Sequence, residues 1–423
     1  MRIEIVTVGD ELLLGFTIDT NAAHLARELA AIGVEVARRG TVGDRADEIA
    51  TAVREALDRT GAVIVTGGLG PTADDLTKPA IAELFGRTLA LDPSVVARLE
   101  AIWRERGRPG ALPATNLQQA MIPSGARVLV NRHGTAPGIW LEDERGRWVA
   151  MLPGVPREMR GMLADELLPL VAARAATGAG ARVVRSRTVR TTGIAESQLA
   201  VNLGELARGV DGLPLAYLPG VDGVDLRLTA RALPAEDAER ALAAGAARLR
   251  ERVGRFVYGE DATDLAAVVL DACRDRGLRL AAAESCTGGM LAARLTAIPG
   301  SSDVVEGGVV AYDNRVKRAW LGVDERDLEA YGAVSEPVAR QMAAGVRERL
   351  GTAVGVGITG VAGPGGGTAE KPVGTVWLAV DMDGAAWVAR TLFGGDREEI
   401  RQRAAQAALD MVRRMLLFPS DRG

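Results

Sequence analysis

Short β-branched runs alternate with segments of helical period through the first 170 residues. Arg2–Val8 reads as a buried strand, residues 21–32 carry apolar positions on one helical face and stop at Gly33, and residues 34–38 return to strand. Residues 47–59 are again helical in period. Ala62–Thr66 shows no polar alternation, which places it deep in a sheet covered on both faces. Strands at 127–130, 138–141 and Trp148–Leu152 then lead to a helix over 157–170. Such alternation predicts a parallel sheet with crossover helices, an α/β domain over residues 1–172.

The Ala/Gly-rich stretch 172–181 reads as a linker. Residues 182–258 form a small α+β unit: a strand at Arg182–Thr191, a helix over 195–206, strands near 215–218 and 225–230, and a helix over 234–253. That topology suggests an RNA-binding KH-like module. The loop after its first strand is Gly193-Ile194-Ala195-Glu196, however, so the Gly-x-x-Gly clamp is missing and a structural spacer is the preferred reading. A third unit, 261–419, is α/β again. It has helices over 264–277 and 287–298, strands over 280–283, 304–312 and 353–358, and a long final helix over 398–417. That helix carries Ile400, Ala404, Ala407, Ala408, Met411 and Met415 as one apolar stripe. No long-period repeat relates the units.

Composition narrows the chemistry. With 423 residues, 48% hydrophobic and 25% charged, the chain can bury more than one core. No apolar stretch approaches the ~18 to 20 residues that cross a bilayer. Glu4, Asp10 and Glu11 interrupt the N-terminal run, so a signal peptide is not expected and the reading is cytoplasmic. A net charge of −4 argues against nucleic acid as a partner. Two cysteines, Cys273 and Cys286, and two histidines, His24 and His133, support neither a disulfide framework nor a zinc site, and leave a Ser-His-Asp hydrolase little to draw on. Lysine is scarce in a different way: only Lys78, Lys317 and Lys371 stand among 51 basic residues. Arginine cannot replace a lysine that must lose its proton or act as a compact point charge.

After the strand at Ala62–Thr66 comes a loop containing Gly67, Gly68, Gly70, Thr72, Asp74 and Asp75, then a helix start at Lys78. Glycines admit close approach of an anion, the helix N-terminus offers free N–H groups, and Lys78 adds a charge, so phosphate binding is expected. The spacing is not that of a Walker A loop, and a proline with two acids crowds a Rossmann pyrophosphate. Asp74 and Asp75 would repel phosphate without a cation between them. Asp10 and Glu11 follow the first strand at the same sheet edge, so these four acids are the candidate ligands of Mg²⁺, Mn²⁺ or Co²⁺ in phosphoanhydride hydrolysis.

In the third unit Ser285 stands at a strand-to-helix turn in Ala283-Glu284-Ser285-Cys286-Thr287-Gly288-Gly289, where the N–H groups of Thr287, Gly288 and Gly289 suit an oxyanion or phosphate. Its base is expected to be Lys317, with a pKa lowered by desolvation and a cationic neighbour such as Arg315, and Tyr312 is placed to orient or relay the proton. Cys286 is the rival nucleophile, disfavoured because a cysteine without a nearby histidine usually packs as a small hydrophobe. Gly355 to Gly360 matches Gly-x-Gly-x-x-Gly only inside a strand and is a decoy. The functional glycines follow it, in the loop from Thr359 and Gly360 through Gly363.

The runs at 9–15, 19–21, 66–78, 134–138 and 152–156 resemble the molybdopterin-binding-like domain of the CinA family of competence/damage-inducible proteins. Those at 283–289, Tyr312, Lys317, 332–335, 359–364 and 371–374 are similar to its C-terminal domain. The resemblance implies a three-layer N-terminal domain with metal-dependent ADP-ribose pyrophosphatase activity. For the C-terminal domain it implies nicotinamide-nucleotide (NMN) amidohydrolysis without a cofactor, yielding nicotinate mononucleotide and ammonia in pyridine-nucleotide salvage. By the same resemblance Ser285 is nucleophile, Lys317 base and Tyr312 auxiliary. A homodimer is expected, and no membrane partner. The alternative is an accessory protein of competence or the DNA-damage response that binds nucleotides without turning them over.

Overall fold

The computed structural model describes residues 1–175, 182–382 and 385–418. The chain divides into two compact units, residues 1–185 with 230–240, and residues 186–229 with 241–423. Among the described residues no helix is long and apolar enough to cross a membrane.

The first unit is built on a six-stranded sheet of β1 (Arg2–Val8), β2 (Glu35–Val42), β3 (Ala62–Thr66), β6 (Arg127–Leu129), β7 (Gly138–Glu142) and β8 (Trp148–Leu152) in the order β2-β1-β3-β8-β7-β6. The short pair β4 (Leu89–Leu91) and β5 (Met121–Pro123) forms a separate ribbon. β1, β2, β3 and β8 run parallel, β7 pairs antiparallel with β8, and β6 antiparallel with β7. Every residue of β3 and β8 is buried, as their unbroken apolar character requires. One face packs on the helix Ala46–Thr60 through Ile49, Val53 and Leu57, the other on Thr20–Ala31 through Leu25 and Leu29. Because the parallel strands share a direction, the loops after β1, β2, β3 and β8 open at one edge.

The first four residues of the stretch expected as a linker, 172–175, are helical. Residues through Ala175 continue a helix, Leu168–Ala175, that is anchored by the buried Val171; residues 176–181 lie outside the described ones.

A four-stranded sheet, β10-β11-β9-β12, is formed by β9 (Arg182–Thr191), β10 (Leu215–Pro219), β11 (Val224–Pro234) and β12 (Val257–Glu260). Within the second unit this middle segment is tied to the final helix, Arg397–Leu417. The Arg413 guanidinium is fully buried, donates to the carbonyls of Arg255 and Val257, and is neutralised by Asp410 at 2.7 Å. The stripe on that helix thus has its partner surface, with Ile400, Ala404, Ala408, Met411 and Met415 in the core.

The second unit's main sheet runs β14-β13-β15-β16-β17, from β13 (Leu280–Glu284), β14 (Val305–Val310), β15 (Val354–Gly360), β16 (Thr375–Met382) and β17 (Ala385–Leu392). β13 pairs parallel with β14 and β15, and the last two strands are antiparallel. The glycines of β15 have a packing reason: a Cβ on Gly355 or Gly357 would overlap the carbonyl oxygens of Ala343 or Ala339 on the helix Glu336–Leu350. They bring helix and sheet together.

Candidate functional site

Ser285 follows the last residue of β13 and is pinned from both sides. Its N–H donates to the Ile358 carbonyl of β15 at 2.9 Å, and the Glu284 carbonyl accepts from Ala311 N–H at 2.7 Å. The buried Glu284 carboxylate accepts N–H bonds from Gly289, Leu291 and Ala292 at 2.9–3.1 Å, fastening the turn to the start of the helix Met290–Thr296. This changes the expected anion pocket. The Gly289 N–H is spent on Glu284 and that of Gly288 on the Ser285 carbonyl, while the Thr287 carbonyl accepts from Arg401. The turn is a rigid mount for Ser285, and Thr287, Gly288 and Gly289 do not line the cavity beside it.

Lys317 rises from the helix Asn314–Leu321, capped by Asp313, and only 1% of it is exposed. Its Nζ lies 3.2 Å from Ser285 Oγ, 2.8 Å from the Ala311 carbonyl and 3.2 Å from the Tyr312 carbonyl. Burial pushes its pKa below the ordinary lysine value, against the pull of Asp313. Arg315, expected to help lower it, is an exposed side chain paired with Asp313 at 3.1 Å, so desolvation does the work. A neutral amine has two N–H donors and one lone pair. With the donors on the two carbonyls, the lone pair is left for the Ser285 hydroxyl.

Tyr312 acts here through its backbone. Its ring is largely exposed, and its hydroxyl accepts from Arg397 Nη2 at 2.9 Å, while Lys317 Nζ donates to the Tyr312 carbonyl. Cys286 belongs to the hydrophobic core and its thiol is pushed up to about 12 by burial, which leaves it protonated and a poor nucleophile.

Ser285, Lys317 and Tyr312 face a cavity of about 290 Å³ whose far wall is the Thr359–Gly366 loop, with Gly360 and Gly363 among its lining residues. The Thr359 hydroxyl holds the Ala333 carbonyl at 2.8 Å. The sequence reading missed Arg397, which closes this wall by donating to the Gly363 carbonyl and the Tyr312 hydroxyl. It offers a guanidinium to an anionic group entering the cavity.

In the first unit a cavity of about 480 Å³ opens at the edge where β1, β2, β3 and β8 end, lined by Glu11, Gly67, Gly68, Gly70, Asp74 and Asp75. Gly67 has a left-handed φ, and a Cβ there would overlap the Val8 carbonyl. Asp75 is spent on its own loop, accepting from the N–H groups of Gly70 at 2.7 Å and Thr72 at 2.8 Å and from the Thr72 hydroxyl. Asp10 is locked with Asp44: each carboxylate accepts the other's N–H, at 2.9 and 3.3 Å. Lys78 is buried, its Nζ on the Gln118 carbonyl, and it does not line the cavity. Burial lowers its pKa to about 8.

Asp44, not anticipated, does line the cavity. Burial first, then the charges of Asp10, Glu11 and Asp74, raise its pKa. The edge rule that selected Asp10 and Glu11 applies equally to the loop after β2 and would have found it. Among the described residues no group of three or more acids, histidines or cysteines is close enough to cage a metal ion. Glu11, Asp44 and Asp74 fit a looser arrangement, in which Mg²⁺ or Mn²⁺ is held by one or two carboxylates, water and phosphate oxygens.

Family models match three segments: residues 4–173 a probable molybdopterin binding domain, 186–259 the damage-inducible protein CinA KH domain, and 262–416 the CinA C-terminal domain. The middle segment is therefore KH-like, although its loop lacks the glycine clamp that led to the spacer reading. A CinA-like protein of Gemmatimonas aurantiaca is 66% identical over 414 residues, covering 98% of this chain and 96% of that one. A putative competence-damage inducible protein of Moorella thermoacetica is 45% identical over 416 residues, covering 98% and 99%. The crystal structure of the competence/damage inducible protein CihA from Agrobacterium tumefaciens is 45% identical over 35% of this chain and 90% of its own, with a TM-score of 0.34.

Proposed function

The chain belongs to the CinA family, and from that premise we propose that its second unit is a serine amidohydrolase that converts NMN and water to nicotinate mononucleotide and ammonia. The observation that carries the reading is the 3.2 Å contact between Lys317 Nζ and Ser285 Oγ, at a buried lysine whose pKa burial lowers. Neutral Lys317 takes the hydroxyl proton as Oγ bonds to the carboxamide carbon. The carbon–nitrogen bond then breaks, Lys317 returns the proton to the leaving ammonia, and water hydrolyses the acyl-enzyme by the same route in reverse. Arg397 receives the nucleotide's phosphate at the far wall. Ammonia release from NMN by purified protein tests this. No release from correctly folded protein favours the alternative, a nucleotide-binding accessory of competence or the DNA-damage response.

A second activity, ADP-ribose pyrophosphatase, is proposed for the first unit. Its support is a glycine-lined cavity walled by Glu11, Asp44 and Asp74, where burial first and then the charges of neighbouring acids raise the Asp44 pKa. A bound divalent cation supplies charge neutralisation there. Glu11, Asp44 and Asp74 would hold it, and Asp75 keeps the loop in shape. Chelation by EDTA should stop ADP-ribose hydrolysis while leaving NMN deamidation by the same sample unchanged; loss of both reactions would refute the division of labour.

A further inference from the structure

At the opposite edge of the first unit's sheet, where β3 and β8 begin, another cavity of about 460 Å³ opens between the helix Ala46–Thr60, the end of the helix Thr77–Leu84 and the turn joining β7 to β8. Four arginines line it, Arg54, Arg87, Arg145 and Arg147, together with the apolar Leu57, Leu84 and Phe85. Two acids share the wall. Asp143 is consumed locally, since it accepts the Nε of Arg147 at 2.8 Å and the N–H groups of Arg145 and Arg147 at 2.9 Å; Glu144 is exposed. Arg147 is completed by Asp58 at 2.9 Å.

The other three guanidiniums have no carboxylate partner among the described residues, and the Nε of Arg87 is buried without an acceptor. Buried donors are satisfied in native proteins as a rule, and this one is not. Three unpaired guanidiniums around one hollow repel one another, and a multivalent anion relieves that repulsion. Their planar forks match phosphate oxygens, and the volume falls within the range of small-ligand sites.

We propose that this cavity binds an oligophosphate anion, free or carried by a nucleoside, at a site separate from both clefts described above. The phosphates lie among Arg54, Arg87 and Arg145, and Leu84 with Phe85 gives a nucleoside a surface to cover.

Calorimetric titration of the full chain with inorganic pyrophosphate and, in parallel, with ADP tests this. EDTA is present throughout, so that no divalent ion assists binding at the acidic cavity. The expected result is binding to the wild type that weakens at least ~10-fold in Arg54→Glu/Arg145→Glu and in Arg87→Gln, and is undiminished in Arg397→Gln and Asp74→Asn. Circular dichroism and thermal midpoints establish that the variants fold; should charge reversal unfold the domain, Arg54→Gln/Arg145→Gln carries the same expectation. Tighter binding of ADP than of pyrophosphate identifies a nucleoside-borne ligand, and the reverse a free oligophosphate. Absence of binding to the wild type, equal binding by the Arg54/Arg145 and Arg87 variants, or loss in Arg397→Gln or Asp74→Asn instead overturns the proposal.

Discussion

The two clefts differ in what their polar groups do before any substrate arrives. In the second unit the proposed nucleophile and base are already assembled: Lys317 is buried, its pKa lowered, and its Nζ rests on Ser285 Oγ. In the first unit the most conspicuous acids are engaged elsewhere, Asp75 on its own loop and Asp10 on Asp44, while the groups left facing the cavity repel each other. A site built for covalent chemistry can be finished by the protein alone. One built around phosphate and a hard cation is left incomplete, because ion and substrate bring most of the ligands. Both clefts nevertheless sit where strands of a parallel sheet end, since that is where loops from adjacent strands converge.

The sharpest way to break this contrast is at Ser285. Ser285→Ala should lower NMN turnover by at least ~10³-fold while NMN still binds, because it removes the covalent step and little of the phosphate contact. Cys286→Ala should retain the wild-type rate, its thiol being buried and protonated near neutral pH. Loss confined to the cysteine variant would reverse the assignment.

Lys317 comes next in size. An arginine keeps the charge but cannot accept a proton at working pH, so Lys317→Arg should lose about 10²-fold or more, close to Lys317→Ala. Turnover in the wild type should rise with pH and level off below the ordinary lysine pKa of about 10.4, because the base must be neutral and burial lowers its pKa. If Lys317 were only a phosphate clamp, arginine would preserve much of the rate and no such rise would appear.

Why these two residues were legible in the sequence, and others not, follows from scarcity and distance. Lysine is rare here, so Lys317 stood out, and Ser285 was marked by a strand that ends in a glycine-bearing turn. Arg397 is one arginine among many, and only tertiary structure brings it to Gly363 and Tyr312. At the level of fold, β1, β3, β8 and β13 were readable from their apolar runs. The helices Asn314–Leu321, Glu325–Tyr331 and Glu336–Leu350 were not assigned; the first buries little besides Lys317 and Leu321, so its period is carried by polar residues. The turn amides misled for a related reason: a strand-to-helix turn announces free N–H groups, but their capture by Glu284 depends on where one side chain points.

The acids of the first unit offer a smaller, more selective effect. Asp75→Asn places an amide against two N–H donors of its own loop, and should cost about 1–3 kcal/mol of stability along with ADP-ribose hydrolysis. Asp74→Asn, at an exposed carboxylate, should lower the same activity with no comparable shift in the urea midpoint. Equal destabilisation by both would mean that the loop is held in some other way and that the difference drawn between stapling and ligand-facing acids is wrong.

Lys78 tests the contrast most finely, because it shares burial and a lowered pKa with Lys317 but faces a carbonyl and no nucleophile. Its consequence should therefore be thermodynamic. In the folded chain its pKa is about 8, while in the unfolded chain it returns to about 10.4. Between those values the unfolded state holds a proton that the folded state has released, so stability contributed by this group rises with pH across that window and is flat below it. Lys78→Met removes the titration. The urea-derived stability of the first unit should then climb less steeply from pH 8 to 10 than in the wild type, by up to about 1.4 kcal/mol per pH unit, while NMN turnover is untouched. Identical slopes would show that Lys78 keeps its proton throughout, held by Gln118 and the nearby Asp75 charge. Only Lys317, of the two buried lysines, would then be poised to give its proton up.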